Sequence, residues 1–173
     1  VVVLHLGAQA GGALPAVALL AILTSLYAAV LALAQRDLRR ALGLLAMSQS
    51  AIVLVGFAAS SALGVIGSLM VWLSVSVALT GLALAAGCLE ARFGPVDLSQ
   101  PRGYAARAPR LGLLFLLLGL GSCGLPGLLG FVSDDLLFHG LLASYPLAGV
   151  AMVVAVGLNG FTVLRAYFHA FQG

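Results

Sequence analysis

The sequence predicts an all-α fold, a polytopic transmembrane helix bundle of about five spans, one of them broken near Pro126. Of its 173 residues, 62% are hydrophobic and only 8% are charged, and the mean hydropathy is +1.18. An ordinary soluble domain carries about 25% charged residues, so this composition cannot cover a water-exposed surface. Long apolar runs between short polar segments indicate helices that cross a bilayer. A cytosolic enzyme, a disordered chain and a free nucleic-acid-binding domain are therefore excluded.

The first half of the chain contains three complete spans. The first covers residues 13–34 and ends in the polar run 35–40, and the second covers residues 41–59. A five-residue linker returns the chain into a third span that ends near Leu89. This span is rich in Ser, Gly and Ala, which let neighbouring helices approach closely. The apolar start at residues 1–6 lacks the features of a signal peptide, and we interpret it as the tail of a further span of a longer or processed protein.

The second half is predicted to hold the broken helix. Residues 90–110 form a polar surface loop with one short helix along the membrane, and residues 111–142 are too long for one simple span. Pro126 and Gly127 lie near the middle of that run, and proline removes a backbone N–H and clashes with the preceding turn. Such a break is tolerated in a membrane only where protein or a water-filled cavity surrounds it. The last span covers residues 147–168.

The charges indicate orientation and not a polyanionic partner, although the net charge is +3. All eight basic residues are arginines, and seven of them lie at residues 36–40 and 92–110. Counting the interrupted run as one crossing places both segments on the same side, which the positive-inside rule makes cytoplasmic. We therefore expect a multi-pass protein of the cell (inner) membrane, with lipid and no nucleic acid as its surroundings.

The candidate chemistry lies just after the predicted break. Asp134 and Asp135 are adjacent, and His139 follows Asp135 by four residues, so these two share a helix face. A carboxylate within a membrane costs roughly 2.5–3.5 kcal/mol, and a pair of them favours a proton relay. The alternative is structural: Ser133 caps a helix whose first turn carries the two acids.

The remaining polar residues have structural interpretations at least as good as functional ones. Arg39 is either a topology signal or a charge that points into the bundle. Arg165 is expected to reach towards the interface. Asn159 and Gln49 are candidates for helix–helix hydrogen bonds, and Gln49 also for holding a water. The sequence predicts no metal site, no cofactor and no redox centre in this chain.

Three motifs resemble one family, the antiporter-like proton-translocating subunits of respiratory complex I, which is related to the Mrp antiporters and membrane-bound hydrogenases. A-Q-R-D-L-R-R at residues 34–40, followed by L-L-A-M-S-Q-S at 44–50, is similar to the family's A-Q-x-D-[IL]-K-R-x-x-A-Y-S-S-x-S-x-x-G. G-L-P-G-L-L-G-F-V-S-D-D at 124–135 resembles G-[LIM]-P-G-x-x-G-F-x-x-[EK], which the family carries at a broken helix. L-R-A-Y-F at 164–168 resembles its final L-R-x-Y-F.

The resemblance implies that residues 1–173 form a single transmembrane domain, the C-terminal part of a larger subunit that includes most of the second of two inverted repeats. The acid or lysine that the family carries at its broken helix corresponds to Asp134. The lysine of the family's D-[IL]-K-R motif corresponds to Arg39, and an arginine stays charged and cannot pass a proton. Ser74 to Val77 stand where the family often has a histidine, a departure that indicates a divergent branch with altered or lost pumping.

The function implied is translocation of protons, or of a cation such as Na⁺ against protons, in a complex with other membrane subunits. Any enzymatic activity, such as that of an NADH:quinone oxidoreductase, would belong to partner subunits. The proton path would use Asp134 and Asp135, with His139 as relay and Arg39 as a nearby fixed charge. The alternatives are a non-pumping structural membrane subunit and an independent small-solute transporter.

Overall fold

A computed structural model describes residues 13–59 and 61–172 of the chain. The predicted tail of a further span at residues 1–6 lies outside this range. The described residues form helices joined by loops, the longest of which covers residues 94–108 and contains a 3₁₀ turn at Tyr104–Ala106. The helices are α1 (Leu14–Ala34), α2 (Leu38–Ala58), α3 (Ala62–Phe93), α4 (Pro109–Ser122), α5 (Leu129–Ser144) and α6 (Pro146–Phe171). The all-α class is confirmed.

Four helices, α1, α2, α3 and α6, are long and apolar enough to cross a membrane. The fourth predicted span, residues 111–142, is divided between α4 and α5, which have 14 and 16 residues and are separated by residues 123–128. The predicted broken helix near Pro126 is therefore confirmed. Gly124 and Gly127 adopt positive φ angles of 73° and 95° in the break, a backbone conformation that glycine reaches without steric cost.

The helix boundaries differ from the predicted spans where local capping intervenes. The helix α2 begins three residues earlier than predicted, at Leu38, because the Asp37 side chain accepts a hydrogen bond from the Arg39 N–H and caps the first turn. The helix α3 continues through Glu90 to Phe93, beyond the predicted end at Leu89. It stops before Gly94, whose φ is 79°.

The two arginine-bearing segments lie at the same end of the bundle, as the sequence predicted. The Leu38 N–H donates to the Val96 carbonyl (3.2 Å) and the Leu98 N–H donates to the Arg36 carbonyl (2.6 Å). These bonds join the loop after α3 to the turn between α1 and α2. We call this the arginine end, and the end where α5 meets α6 the opposite end.

Helices α3 and α5 pack closely because both carry glycine at their contact. A Cβ atom on Gly67 would lie 2.6 Å from the Leu137 backbone nitrogen, and one on Gly140 would meet the Gly64 backbone. This close approach confirms the role predicted for the small residues of the third span, and small residues are what membrane helices use where backbones touch.

The interior has an apolar core at each end and polar side chains between them. The core at the arginine end includes Leu45 and Val163, and the core at the opposite end includes Ile52 and Ala155. Between these pairs lie the buried polar side chains of Ser48 and Gln49 on α2 and of Asn159 on α6. We call them, with their partners on α1 and α4, the polar layer, which consists of Ser25, Ser48, Gln49, Ser122 and Asn159, all buried.

Candidate functional site

The polar layer joins α1, α2 and α6 through side-chain hydrogen bonds. The Ser48 Oγ donates to the Ser25 carbonyl (3.0 Å) and lies 3.2 Å from the Ser25 Oγ. The Asn159 Nδ2 donates to the Ser48 Oγ (2.9 Å). Asn159 therefore makes the helix–helix contact that the sequence predicted. Its Oδ1 is buried without a partner among the described residues.

Gln49 extends the polar layer to the broken helix. Its side chain is 1% exposed, and its Nε2 donates to the Ser122 carbonyl at the end of α4 (2.9 Å). Of the two interpretations left open by the sequence, this contact supports a helix–helix hydrogen bond. That the partner is the last residue of α4 could not be predicted, because the contact joins residues 73 positions apart.

Asp134 lies in the second turn of α5, half-buried against the break. It lines an open cavity of about 210 Å³ at the contact of α5, α6 and the break. The backbone of Gly124 lies against it, since a Cβ atom on Gly124 would be 2.6 Å from the Asp134 Oδ2. Within the described part of the chain, this carboxylate has no hydrogen-bond or salt-bridge partner. The cavity is lined by Cys123, Gly124, Phe131, Asp134, Asp135, Phe138, Met152, Val153 and Val156.

The capping interpretation of this segment is wrong. The residue that precedes α5 is Leu128, and no acid lies in the first turn of the helix. Ser133 is the fifth residue of α5, and its hydroxyl donates back to the Leu129 and Gly130 carbonyls (3.0 and 2.9 Å). Helix capping therefore does not explain the two aspartates.

Asp135 and His139 share a face of α5, as their spacing predicted. The His139 Nδ1 lies 3.5 Å from the Asp135 Oδ1 and 2.9 Å from the Asp135 carbonyl oxygen. Both side chains are more than half exposed, at 58% and 61%. Asp135 also lines the cavity of Asp134, so the two carboxylates border one space while His139 lies one turn further towards the opposite end.

Arg39 is not brought to this cavity, and the interpretation that points it into the bundle is wrong. Its side chain is 76% exposed at the arginine end, and its Nη2 donates to the Glu90 Oε2 (2.6 Å). Gln49, at the level of the break, lies ten residues further along α2, which is about 15 Å of helix. The pairing with Glu90 was missed in the sequence. The one feature of the sequence that could have indicated this pair is that Glu90 lies at the arginine end of the next span.

Arg165 has a more specific role than reaching the interface. Its Nη1 donates to the Leu33 carbonyl and to the Gln35 carbonyl (3.2 Å), at the C-terminus of α1. A cation at this position satisfies carbonyl groups that have no partner within the helix. The side chain thereby ties α6 to α1 at the arginine end.

An apolar helix bundle with a broken helix and a carboxylate in a cavity beside the break defines a polytopic membrane protein with an ionisable group next to a helix break. The family model for the transmembrane region of NADH:quinone oxidoreductase and Mrp antiporter subunits matches residues 1–159. The chain belongs to this family, and a membrane location follows from membership and from the apolar helices.

Relatives of known name are similar over most of the chain. NADH-quinone oxidoreductase subunit 13 of Thermus thermophilus is 32% identical over 152 residues, which are 88% of this chain and 32% of the relative. NAD(P)H-quinone oxidoreductase chain 4 1 of Synechococcus elongatus is 33% identical over 148 residues, 83% of this chain and 28% of the relative. The chain thus spans about a third of the length of these relatives.

Solved structures share the fold. A chain of respiratory complex I from Thermus thermophilus with bound NADH superposes with a TM-score of 0.85 at 31% identity, covering 93% of this chain and 34% of that chain. A chain of the Mrp complex from Dietzia superposes with a TM-score of 0.88 at 25% identity, covering 92% of this chain and 30% of that one. Both neighbours are members of multi-subunit complexes.

Proposed function

We propose that this chain is part of a membrane subunit that translocates protons, or exchanges a cation such as Na⁺ for protons, within a complex I-like oxidoreductase or an Mrp-type antiporter. The observation that carries the proposal is the position of Asp134: half-buried, beside a helix break, on a cavity, and without a partner among the described residues. An ionisable group in a transmembrane segment is costly and is retained where ions or protons pass.

The path that we propose runs from Asp134 to the opposite end of the bundle. Asp135 borders the same cavity, and His139 follows one turn later on the face of Asp135. The helix α5 ends at Ser144, whose hydroxyl donates to the Ala59 carbonyl at the end of α2 (2.9 Å). In this proposal Asp134 is the titrating group and His139 is the relay, whereas Arg39, paired with Glu90 at the arginine end, lies outside the path.

We further propose that other membrane subunits cover this side of the bundle. Pro126 and Gly127 are exposed in the break, as are Asp135 and His139. Non-helical backbone and charged groups are not tolerated against lipid hydrocarbon, so these groups need protein or water beside them. Residues 1–173 would then form one domain of a larger antiporter-like subunit in the cell (inner) membrane, with the arginine end in the cytoplasm.

Proton flux in proteoliposomes that contain the complete complex tests the proposal. Asp134→Asn keeps the size and hydrogen-bonding capacity of the side chain but cannot change charge, so we expect flux to fall at least about tenfold with assembly intact. Asp134→Glu is the matched control and should retain most of the flux. Unchanged flux in Asp134→Asn contradicts a relay through Asp134, and absence of flux in the wild-type complex favours the non-pumping structural subunit.

A further inference from the structure

The end of α4 has a carbonyl group that its own helix cannot satisfy. In a continuous helix the Ser122 carbonyl would accept a hydrogen bond from the N–H four residues later. That residue is Pro126, which has no N–H. An unpaired carbonyl in a membrane interior is costly, so a donor from elsewhere is needed.

Gln49 supplies this donor from the neighbouring part of the bundle. It is a buried residue of α2, and its Nε2 lies 2.9 Å from the Ser122 oxygen. The side chain thus replaces the backbone bond that proline removes. It also fixes the last residue of α4 relative to α2, which is continuous through this level.

The wall of the Asp134 cavity begins directly after this anchored residue. Cys123 and Gly124 follow Ser122 and line the cavity, with the Gly124 backbone against the Asp134 carboxylate. On the other side of the break, Gly130 in the first turn of α5 packs on the Gly121 carbonyl. A shift of Ser122 would therefore move both the cavity wall and the first turn of α5, which lies one turn before Asp134.

We propose that Gln49 is a positioning residue for Asp134: by binding the carbonyl that Pro126 leaves without a donor, it holds the cavity wall in place. The inference is tested by two measurements, the labelling of a nearby thiol and the pH dependence of proton flux, and only the second rests on the proposed function. The other titratable groups on the cavity are Cys123 and Asp135. The nearby thiol provides a reporter that does not depend on transport.

The test uses the complete subunit in its membrane complex, with every cysteine except Cys123 replaced, including Cys88→Ala. Gln49→Met keeps a similar length and removes the donor. We expect maleimide to label Cys123 at least about threefold faster, and the pH midpoint of proton flux to move by at least about half a unit. Gln49→His retains an N–H donor and should restore both values towards wild type.

Ser48→Ala is the matched control, because it removes a buried interhelical hydrogen bond one residue away that does not reach the break. It should leave the labelling rate and the pH midpoint unchanged. If Gln49→Met prevents assembly, Gln49→Asn keeps the amide but shortens its reach, and the same two shifts are expected. Unchanged labelling overturns the inference, and so does faster labelling without a shifted pH midpoint, which indicates structural support alone. Absent wild-type flux defeats the proposed function, whereas the labelling rate still decides whether Gln49 holds the break.

Discussion

The broken helix and the arginine end both contain acidic residues and glycines, but these residues have different surroundings in the two regions. At the arginine end the carboxylates have partners: Asp37 caps α2 and Glu90 pairs with Arg39. Asp97 accepts a hydrogen bond from the Ser99 N–H, which lowers the pKa of that carboxyl below its ordinary value and keeps it ionised. In the described part of the chain, Asp134 beside the break has no such partner.

The glycines of the two regions differ in the same way. Gly124 and Gly130 at the break lie against a carboxylate and a backbone carbonyl, and neither has room for a Cβ atom. Gly43 and Gly87, near the Arg39–Glu90 pair, have open space where a Cβ atom would go. Partnered acids and loosely packed glycines are typical of a solvated end of a bundle. An unpartnered acid beside tightly packed glycines is costly, and such cost is expected at functional sites.

The comparison requires that the C-terminal end of α3, at the arginine end, and the C-terminal end of α5, at the opposite end, lie on opposite sides of the membrane. Ser99 is exposed in the loop at the arginine end, and Ala143 is exposed in the last turn of α5. In a cysteine-free background, we expect a membrane-impermeant maleimide to label Ser99→Cys only from the cytoplasmic side and Ala143→Cys only from the other, an all-or-none difference. Labelling of both from one side breaks the topology.

Packing at Gly130, beside the break, is expected to tolerate no added atom. Gly130→Ala places a methyl group against the Gly121 carbonyl, which must move and take the end of α4 with it. We expect loss of most of the assembled complex or of most of its proton flux, measured on membranes with equal expression. Gly87→Ala adds the same methyl group to open space at the arginine end and should behave as wild type. Equal effects of the two substitutions would remove the distinction between the regions.

The sequence predicted the features that depend on local pattern. Apolar runs predicted the spans, Pro126 predicted the break, and the spacing of Asp135 and His139 predicted their shared face. The capping role of Ser133 was wrongly kept open because residues 129–132 continue the helix on the N-terminal side, which a serine followed by two acids does not reveal. The bond between Gln49 and Ser122 and the pair of Arg39 with Glu90 depend on how distant helices pack, and no local pattern specifies that.

Asp135 and His139 are expected to have an intermediate effect, since they lie on the path that we propose beyond the titrating group. The double variant Asp135→Asn with His139→Gln removes the charge and the relay on this face but leaves Asp134 on its cavity. We expect flux to fall by roughly threefold to tenfold, less than for Asp134→Asn. Flux as low as in Asp134→Asn would make the exposed pair as important as the half-buried Asp134. Unchanged flux would end the path at Asp134.

The Arg39–Glu90 pair should have the smallest effect, because it lies about 15 Å of helix from the level of the break and its arginine is 76% exposed. Exposed ion pairs contribute about 0–1 kcal/mol, and because the Glu90 side chain is only 16% exposed, a double-mutant cycle of Arg39→Gln and Glu90→Gln on thermal stability should give a coupling at the upper end of that range, about 1 kcal/mol. Proton flux should change less than about twofold in either single variant. A loss of proton flux in Arg39→Gln as large as that in Asp134→Asn would contradict the comparison of the two regions. The guanidinium would then act on the path over a distance at which an exposed charge is largely screened, and the arginine end would have to be counted as part of the site.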